Sequence, residues 1–212
     1  MEIHPPGEPV RSLKDFLYHM LTVLLGILIA LSLESLVEWS HHRTLVRETR
    51  DSLTNEIGDN QARLKRGLAL APVAEKRLRD AIQLVDIRQT KHKAPDTPMD
   101  LSFGVFALGS VNWDTAQSSG ALSYMTPVEV QEYERIYVVQ RSFLAMQDKT
   151  VNQWMELQKW VAYQPAGNLL NALSDEEVAT FKQEAASALI DLQTEANFAK
   201  QLNDEYAKSP KP

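Results

Sequence analysis

The sequence predicts an all-α fold, in which one N-terminal transmembrane helix continues into an antiparallel helical bundle. Residues 16–33 form an 18-residue run without Asp, Glu, Lys or Arg. Elsewhere, apolar residues recur at intervals of three, four and seven, and helix start signals precede two of the later apolar stripes. Outside the anchor about 170 of the 212 residues remain, enough for one domain with a buried core.

The apolar run has the length and composition of a membrane-spanning helix. About 20 residues rising 1.5 Å each cross a hydrocarbon core of about 30 Å, and aromatic rings favour the headgroup layers at both ends. We therefore predict a short polar tail over 1–15 and a membrane anchor over 16–39. The anchor residues that define this prediction are Phe16, Tyr18, Gly26, Ala30, Leu33 and Trp39.

A cleaved signal peptide is the alternative to a retained anchor. Arg11 and Lys14 precede the run, and Ala30-Leu31-Ser32 resembles a cleavage site. The run is longer than the apolar part of a signal peptide, and the helical pattern continues beyond it, which favours retention. The two flanks carry nearly equal numbers of basic residues, so their charge does not set the orientation. A short N-terminal tail that stays inside while the long domain is exported is the usual arrangement of a signal anchor. We expect a single-pass protein of the bacterial inner membrane, with its domain in the periplasm.

A long amphipathic helix is predicted over about 40–92, continuous with the anchor. An interval of seven with intermediate apolar positions is the stripe of a helix that packs on other helices. Gly67 and Pro72 lie within this stripe and predict a kink or a short break there. The stripe consists of Leu53, Ile57, Leu64, Leu68, Ala71, Ala74, Leu78, Ile82 and Val85.

Two shorter elements are predicted next. Residues 93–109 contain prolines and glycines around short apolar pieces, which indicates a connecting loop that folds back onto the bundle. A strand in this segment would lack a partner. A short helix is predicted over about 112–125, with Ser110 or Asn112 as its N-cap.

Two long helices complete the bundle domain, which spans 40–208. Thr126-Pro127-Val128-Glu129 places a hydroxyl at the N-cap, proline at N1 and glutamate at N3, and predicts a helix over about 127–164. Pro165-Ala166-Gly167 ends that helix. The capping box Ser174-Asp175-Glu176-Glu177 predicts another helix over about 175–207. Residues 209–212 are expected to fray.

Composition and motifs exclude several classes of function. The net charge is −6 and basic residues are interleaved with acidic ones, so we expect no nucleic-acid partner. The chain has no cysteine, which excludes disulfides, thiolate metal ligands and cysteine nucleophiles. No hydrolase, nucleotide-binding or zinc-protease motif occurs, and Glu129, Glu132 and Glu134 follow a solvated face. We predict a protein that is not an enzyme, without catalytic residues, cofactor or metal.

The segment from Trp113 to Gly120 is the most unusual in the chain. On a helix, Ala116 and Gly120 would form a flat face of small residues beside the Trp113 ring. Close helix packing is the favoured explanation. The alternative is a ligand or peptide cleft, since four polar residues would lie on the exposed side of the same helix. They are Asp114, Gln117, Ser118 and Ser119.

Histidines near the anchor invite a metal interpretation. His41 and His42 lie just beyond it, with Glu38 one turn before His42. Neighbouring side chains on a helix point about 100° apart, and the sequence has no second histidine pair. Interfacial or solvated histidines are therefore favoured over a metal site.

Three segments, in order along the chain, carry a family resemblance. They are VLLGILIAL at 23–31, LTNEI at 53–57 and WDTAQSSGAL at 113–122. These resemble the apolar anchor, the juxtamembrane helix element and the W-x-x-hydrophobic-x-x-S-G turn of an uncharacterised bacterial family, the domain-of-unknown-function 6090 type. The chain departs from that family's polar segment after the anchor, where it has ESLVEW at 34–39. The resemblance implies a single-pass membrane protein of unknown activity.

Two classes of function follow from an anchor joined to a bundle. The favoured one is a non-enzymatic interaction or assembly protein at the lipid bilayer. It would bind a protein partner or form a homo-oligomer through the Gly26-x-x-x-Ala30 pair and the heptad stripe. The other is an extracytoplasmic, sensor-like, ligand-binding bundle. About 15 residues before Phe16 cannot form an output module, so this sensor would need a separate partner.

Overall fold

The structure, a computed structural model, describes residues 12–162 and 169–210. Within these ranges every regular element is helical, which confirms the predicted all-α fold. The helices are α1 (Leu13–Lys91), α2 (Val111–Ser118), a 3₁₀ helix (Ala121–Tyr124), α3 (Pro127–Ala162), α4 (Leu169–Ala172) and α5 (Asp175–Ala207). The predicted turn at Pro165-Ala166-Gly167 and residues 1–11 and 211–212 of the predicted tails lie outside the described residues.

The chain divides into two compact units, Met1–Glu48 and Thr49–Pro212. In the first unit, α1 includes an 18-residue window that is long and apolar enough to cross a membrane, and none of that window is buried. The side chains of Phe16, Tyr18, Leu33 and Trp39 are 49%, 71%, 59% and 59% exposed. The apolar surface of this unit is therefore not covered by any other described part of the chain, and it is suited to contact with the hydrocarbon core of a membrane.

Polar side chains in this apolar helix are bonded to its own backbone. The Thr22 hydroxyl donates to the Tyr18 carbonyl at 2.9 Å, and the Ser32 hydroxyl donates to the Leu28 carbonyl at 2.7 Å. Such bonds to the preceding turn satisfy a hydroxyl without water. At the end of the anchor, the Arg43 guanidinium lies 5.1 Å from the centre of the Trp39 ring.

The interruption predicted at Pro72 does not appear as a break in α1. Pro72 lies inside the helix, which runs without interruption to Lys91. A proline inside a helix removes one backbone hydrogen bond and costs about 3 kcal/mol. The buried side chains of Leu64, Ala74 and Leu78 pack the helix on both sides of the proline. Their burial offsets that cost, because tertiary packing supplies most of the stability of a helix in a protein.

Around the short helices, the elements differ from the prediction. The region expected to form one helix over 112–125 is split after Ser118 by Gly120, which has a φ of 74°. Ser110 occupies the N-cap position of α2 without capping it through its side chain. The four-residue α4 was not predicted individually. At α5, both bonds of the predicted capping box between Ser174 and Glu177 are present.

In the second unit, α5 runs antiparallel to both α1 and α3. As the residue number rises along α1 or α3, the number of the bonded partner on α5 falls. The pairs are Glu75 with Gln193 and Asp86 with Lys182 for α1, and Arg135 with Glu205 and Lys149 with Asp191 for α3. This is the antiparallel packing that the sequence predicts.

In contrast, α1 and α3 run parallel to each other. The contacts between them join residues whose numbers rise together: Arg50 with Glu129, Glu56 with Tyr137 and Asn60 with Gln140. An up-and-down bundle with short loops would make consecutive long helices antiparallel. Here the connection over residues 92–110, hereafter the strap, returns along the bundle before α3 begins.

The strap is nearly fully extended where it passes α1. Ser102 is bonded to Arg77 of α1, and Gly109 is bonded to Asn60. Between these two contacts α1 advances 17 residues and rises about 26 Å, whereas the strap advances only seven. Seven steps of fully extended chain span at most about 25 Å, so the strap has no slack for regular structure, and the long Arg77 side chain covers the remaining distance.

The core of the second unit follows the predicted heptad stripe of α1. Leu53, Ile57, Leu64, Leu78 and Val85 are each 3% exposed or less. The other stripe positions are Ala74, which is buried, and Leu68, Ala71 and Ile82, which are half-buried. From α3 and α5, the rings of Phe143, Trp154 and Phe181 join this core, and all three are almost completely buried.

Candidate functional site

Side chains of the bundle hold the strap at three points. Near its start, the Ala94 amide and carbonyl are both bonded to the Asn171 side chain, at 2.7 and 3.0 Å. In the middle, the Leu101 carbonyl accepts from the Trp154 indole at 2.6 Å. Near its end, the Gly109 amide and carbonyl pair with the Asn60 side chain at 2.8 and 2.7 Å. The bundle thus provides the backbone partners that a neighbouring strand would otherwise supply.

The third point belongs to a buried polar cluster, here called the clamp layer: Glu56, Asn60, Tyr137, Gln140 and Tyr206. Both Tyr hydroxyls are donors, Tyr206 to the Gln140 carbonyl oxygen at 2.6 Å and Tyr137 to Glu56 at 2.7 Å. Gln140 in turn donates to the Gly109 carbonyl at 2.8 Å. Each side chain of the clamp layer has a partner, so the cluster has the chemistry of a structural clamp.

Burial and charge hold the clamp-layer hydroxyls in their protonated form. Burial raises the pKa of Tyr137, and its hydrogen bond to Glu56 raises it further. Burial also raises the pKa of Tyr206. Neither phenol ionises near neutral pH, so both remain hydrogen-bond donors there and neither can act as a general base.

The segment from Trp113 to Gly120 contributes to the clamp layer through two of its three predicted residues. Trp113 and Ala116 are each 2% exposed, and the Trp113 ring stacks on Tyr137 with 5.0 Å between ring centres. The other carboxylate oxygen of Glu56 accepts from the Asn112 amide at 2.9 Å, which fixes the start of α2. Trp113 and Ala116 therefore pack into the bundle.

For Gly120, the packing explanation is wrong. A Cβ built at Gly120 would meet nothing within 4 Å, and the residue is exposed. Its φ of 74° lies in the left-handed region that favours glycine. Gly120 supplies the left-handed residue between α2 and the 3₁₀ helix, a role that sequence spacing could not distinguish from close packing.

The polar residues of α2 remain on its surface. Asp114, Gln117, Ser118 and Ser119 are exposed, as expected for either interpretation of this helix. The Ser118 hydroxyl donates to the Thr115 carbonyl at 3.1 Å, and the Ser119 hydroxyl donates to the Ala116 carbonyl at 3.3 Å. Because these hydroxyls are bonded to their own helix, a ligand would have to compete for them.

Glu129 is not the solvated residue that the sequence pattern indicates. Both of its carboxylate oxygens accept from the Arg50 guanidinium, at 2.5 and 2.8 Å, and its side chain is only 14% exposed. The hydrogen bond to Glu129 raises the pKa of Arg50. This bidentate pair fixes the first turn of α3 against α1.

An open cleft of about 470 Å³ lies between α1, the strap and α5. Phe106 of the strap covers Gly67 of α1, where an added Cβ would overlap the ring. The walls are mostly apolar, and Leu70, Val73 and Val105 are 63%, 48% and 59% exposed. The cleft also has an edge of three arginines, Arg63, Arg66 and Arg77.

Glu195 of α5 also lines this cleft, together with Leu192. Its carboxyl group neighbours Gln147 and Thr150 of α3. These three buried residues, together with the buried Asp191 one turn earlier on α5, are here called the cleft layer. Glu195 is only 7% exposed, and its Oε2 atom is buried without a hydrogen-bond partner. Burial raises the pKa of this carboxyl, more than the neighbouring Thr150 and Gln147 lower it.

Sequence reasoning missed both polar layers, although a signal was present. Asn60 lies three residues after Ile57 and four before Leu64, so it occupies a core position of the stripe. Glu195 likewise lies between the apolar positions Leu192 and Ala199 of α5. A polar residue at a core position needs a partner, and this requirement identifies such positions as candidates for a polar site.

The predicted anchor and histidine residues do not join these layers. Gly26 has nothing within 4 Å of an added Cβ, so its face is open along the described chain. His42 lies 3.9 Å from Glu38. Across residues 12–162 and 169–210, no group of three His, Cys, Asp or Glu side chains is placed to hold a metal ion.

Comparisons of the chain with family models, curated proteins and solved structures find no match. The resemblance to the domain-of-unknown-function 6090 type therefore remains a prediction. The geometry of the bundle provides two contrasting polar clusters: every side chain of the clamp layer has a hydrogen-bond partner, whereas the cleft layer borders an open cleft through Glu195.

Proposed function

We propose that this chain is a membrane-anchored, non-enzymatic interaction protein, whose bundle presents a binding surface for a partner at the bilayer. The observation that supports it best is the uncovered apolar window of α1, none of which is buried. A window of this kind is stable in hydrocarbon, whereas the second unit has a hydrophobic core of its own. The partner would be another protein or a second copy of this chain.

The open face at Gly26 favours assembly within the membrane. Gly26 and Ala30 are four residues apart on one helix face, and small residues at this spacing allow helix backbones to approach closely. Because nothing lies within 4 Å of an added Cβ at Gly26, Gly26→Leu leaves the described contacts unchanged. In nanodiscs, we expect Gly26→Leu to lower the oligomeric mass and Ile27→Leu to leave it unchanged. A wild-type protein that is monomeric at all concentrations would leave another protein as the partner.

The absence of cysteine allows a direct test of anchoring and orientation. Met155 of α3 is 57% exposed and lies in the second unit, whereas the exposed Ser12 precedes the apolar window. We expect Met155→Cys to react with a membrane-impermeant maleimide in bacteria whose outer membrane alone is permeabilised. Ser12→Cys should react only after the inner membrane is lysed.

The same variants show how this proposal could fail. The reverse pattern, in which Ser12→Cys reacts while the inner membrane is intact and Met155→Cys only after its lysis, would place the bundle in the cytoplasm. The protein would then still be anchored in the inner membrane, but in the opposite orientation. Extraction of the full chain by carbonate without detergent would contradict anchoring altogether. A mature protein that begins near Leu33 by mass spectrometry would establish the signal-peptide alternative.

A ligand-binding bundle is the second candidate function, and the cleft beside Glu195 specifically favours it. Ligand sites combine mostly apolar walls with a few polar groups that orient the ligand. This cleft has apolar walls, an arginine edge and one buried carboxyl. A bundle with such a site would sense a small molecule and transmit its binding to a separate membrane partner.

A further inference from the structure

The cleft leaves apolar surface exposed to water that a ligand would cover. Its volume of about 470 Å³ lies within the range of ligand pockets, about 300–1,000 Å³. Leu70 is 63% exposed and Val105 is 59% exposed, although both are large apolar residues on the cleft walls. Covering these side chains with the apolar part of a ligand would be favourable by about 25 cal/mol per Å².

Positive charge at the cleft edge exceeds what nearby carboxylates neutralise. Arg77 forms an ion pair with Asp100 at 2.7 Å. Arg63 donates to the Ala107 carbonyl at 3.4 Å, which leaves its charge uncompensated. The ion pairs found among the described residues involve neither Arg63 nor Arg66. Two guanidinium groups without an ion pair beside an apolar wall favour a ligand with a carboxylate, because a guanidinium matches its geometry.

The cleft lining also contains a polar atom that lacks a partner. Glu195 is more than nine-tenths buried, and its Oε2 atom is not bonded within the described structure. Leaving a buried carboxyl oxygen unsatisfied costs about 1–3 kcal/mol. Oε2 itself has almost no accessible surface, so a ligand hydroxyl bonds to the Glu195 carboxyl once this group turns towards the cleft that it lines. A hydroxyl suits either protonation state of the carboxyl, since it both donates and accepts.

We propose that the cleft binds an amphipathic carboxylic acid that carries a hydroxyl group on its apolar chain. The carboxylate pairs with Arg63 and Arg66, the chain covers Leu70 and Val105, and the hydroxyl bonds to Glu195. This inference rests on the second candidate function and does not depend on the assembly proposed for the anchor.

Binding is tested with the full-length chain in lipid nanodiscs and three probes: 10-hydroxydecanoate, decanoate and decanol. Isothermal titration into loaded and empty nanodiscs separates binding to the protein from partitioning into lipid. We expect saturable binding of both carboxylates, at least fivefold tighter for 10-hydroxydecanoate, and no saturable binding of decanol.

Two variants separate the carboxylate contact from the hydroxyl contact. Arg66→Gln should weaken both carboxylates at least tenfold. Glu195→Leu should remove the preference for 10-hydroxydecanoate over decanoate, and Glu195→Ala should remove it equally if the leucine variant does not fold by circular dichroism. Arg141→Gln, at an exposed position of α3 that does not line the cleft, is the matched control and should bind like the wild type.

Four outcomes would overturn the proposal. Decanol binding as tightly as decanoate would remove carboxylate recognition, and unchanged binding by Arg66→Gln would remove the arginine contact. A preference for the hydroxylated acid that survives Glu195→Leu would remove the role of Glu195. Failure of all three probes, with Met155→Cys still labelled from outside, would reject this ligand class and leave the anchored interaction protein standing.

Discussion

The clamp layer and the cleft layer lie in the same bundle, yet they use buried polar groups in opposite ways. In the clamp layer, Asn60 and Gln140 both contact Gly109, so the amides and the strap satisfy one another. In the cleft layer, Asp191 is paired with Lys149, but one oxygen of Glu195 has no partner. The contrast separates a structural clamp from the ligand contact that we propose. Every side chain of the clamp layer is bonded, whereas Glu195 keeps one oxygen unbonded beside a cavity.

The largest predicted effect is the loss of the clamp. Asn60→Ala leaves the half-buried Gly109 amide and carbonyl without this partner, and we expect a loss of about 2–3 kcal/mol in the free energy of unfolding. Hydrogen exchange at residues 101–110 should accelerate. Asn55→Ala, at an exposed position of the same helix, is the control and should cost less than about 0.5 kcal/mol. Equal costs for the two variants in a denaturant titration would contradict the clamp.

A second prediction concerns how closely the strap lies on α1. Gly67→Ala places a methyl group against the Phe106 ring, and we expect a net destabilisation of about 1–2 kcal/mol by overpacking. Alanine is otherwise the better helix former by about 1 kcal/mol. Gly58→Ala, where an added Cβ meets nothing within 4 Å, should therefore stabilise the protein. If thermal melts showed that both variants are more stable than the wild type, the Phe106 ring could not lie against Gly67 as described.

The third prediction uses the pKa of Glu195 to sharpen the contrast between the layers. Burial raises the pKa of Glu195 above its ordinary value of 4.5. The neutral carboxyl is therefore favoured in the folded state, and its contribution to stability is complete below pH 4.5 and declines as pH rises through the raised value. At pH 8, Glu195→Gln should be more stable than the wild type by roughly 1 kcal/mol, with a smaller difference at pH 4.5.

Other carboxyls titrate in the opposite sense, so the wild-type curve alone cannot test this prediction. Hydrogen bonds to Lys208 and Arg79 lower the pKa values of Glu205 and Glu75, and such groups stabilise the fold as pH rises. The difference between wild type and Glu195→Gln cancels their contributions. A difference that does not change between pH 4.5 and pH 8 would show that Glu195 titrates normally.

The smallest predicted effect lies at the turn after α2. Because Gly120 has a φ of 74° and open space around it, Gly120→Ala should cost about 1 kcal/mol through backbone strain. Gly120→Asn should cost less, since asparagine tolerates the left-handed region. Overpacking would give the reverse order, because asparagine is larger. Melting temperatures of the two variants decide between strain and packing.

Helix positions follow closely from local sequence signals, whereas the partners of the helices do not. The hydroxyl of Thr126 bonds to the Glu129 amide at 3.3 Å, as its N-cap position predicts, because a cap involves residues three apart. The carboxylate of Glu129, in contrast, pairs with Arg50, which lies 79 residues away. A solvated face and a face that meets another helix look alike in sequence when the contact is an ion pair.

The sequence by itself determined the apolar window of α1, its heptad stripe and the starts of α3 and α5, because hydrophobic periodicity and caps are local properties. Only the tertiary structure decided that α1 and α3 run parallel, that the strap is stretched along α1, and that Glu195 faces a cleft. These features depend on contacts between residues distant in the chain, such as Asn60 with Gly109. Which residues of α1 the strap contacts depends on how far its extended chain runs along the helix, and no short sequence motif encodes that distance.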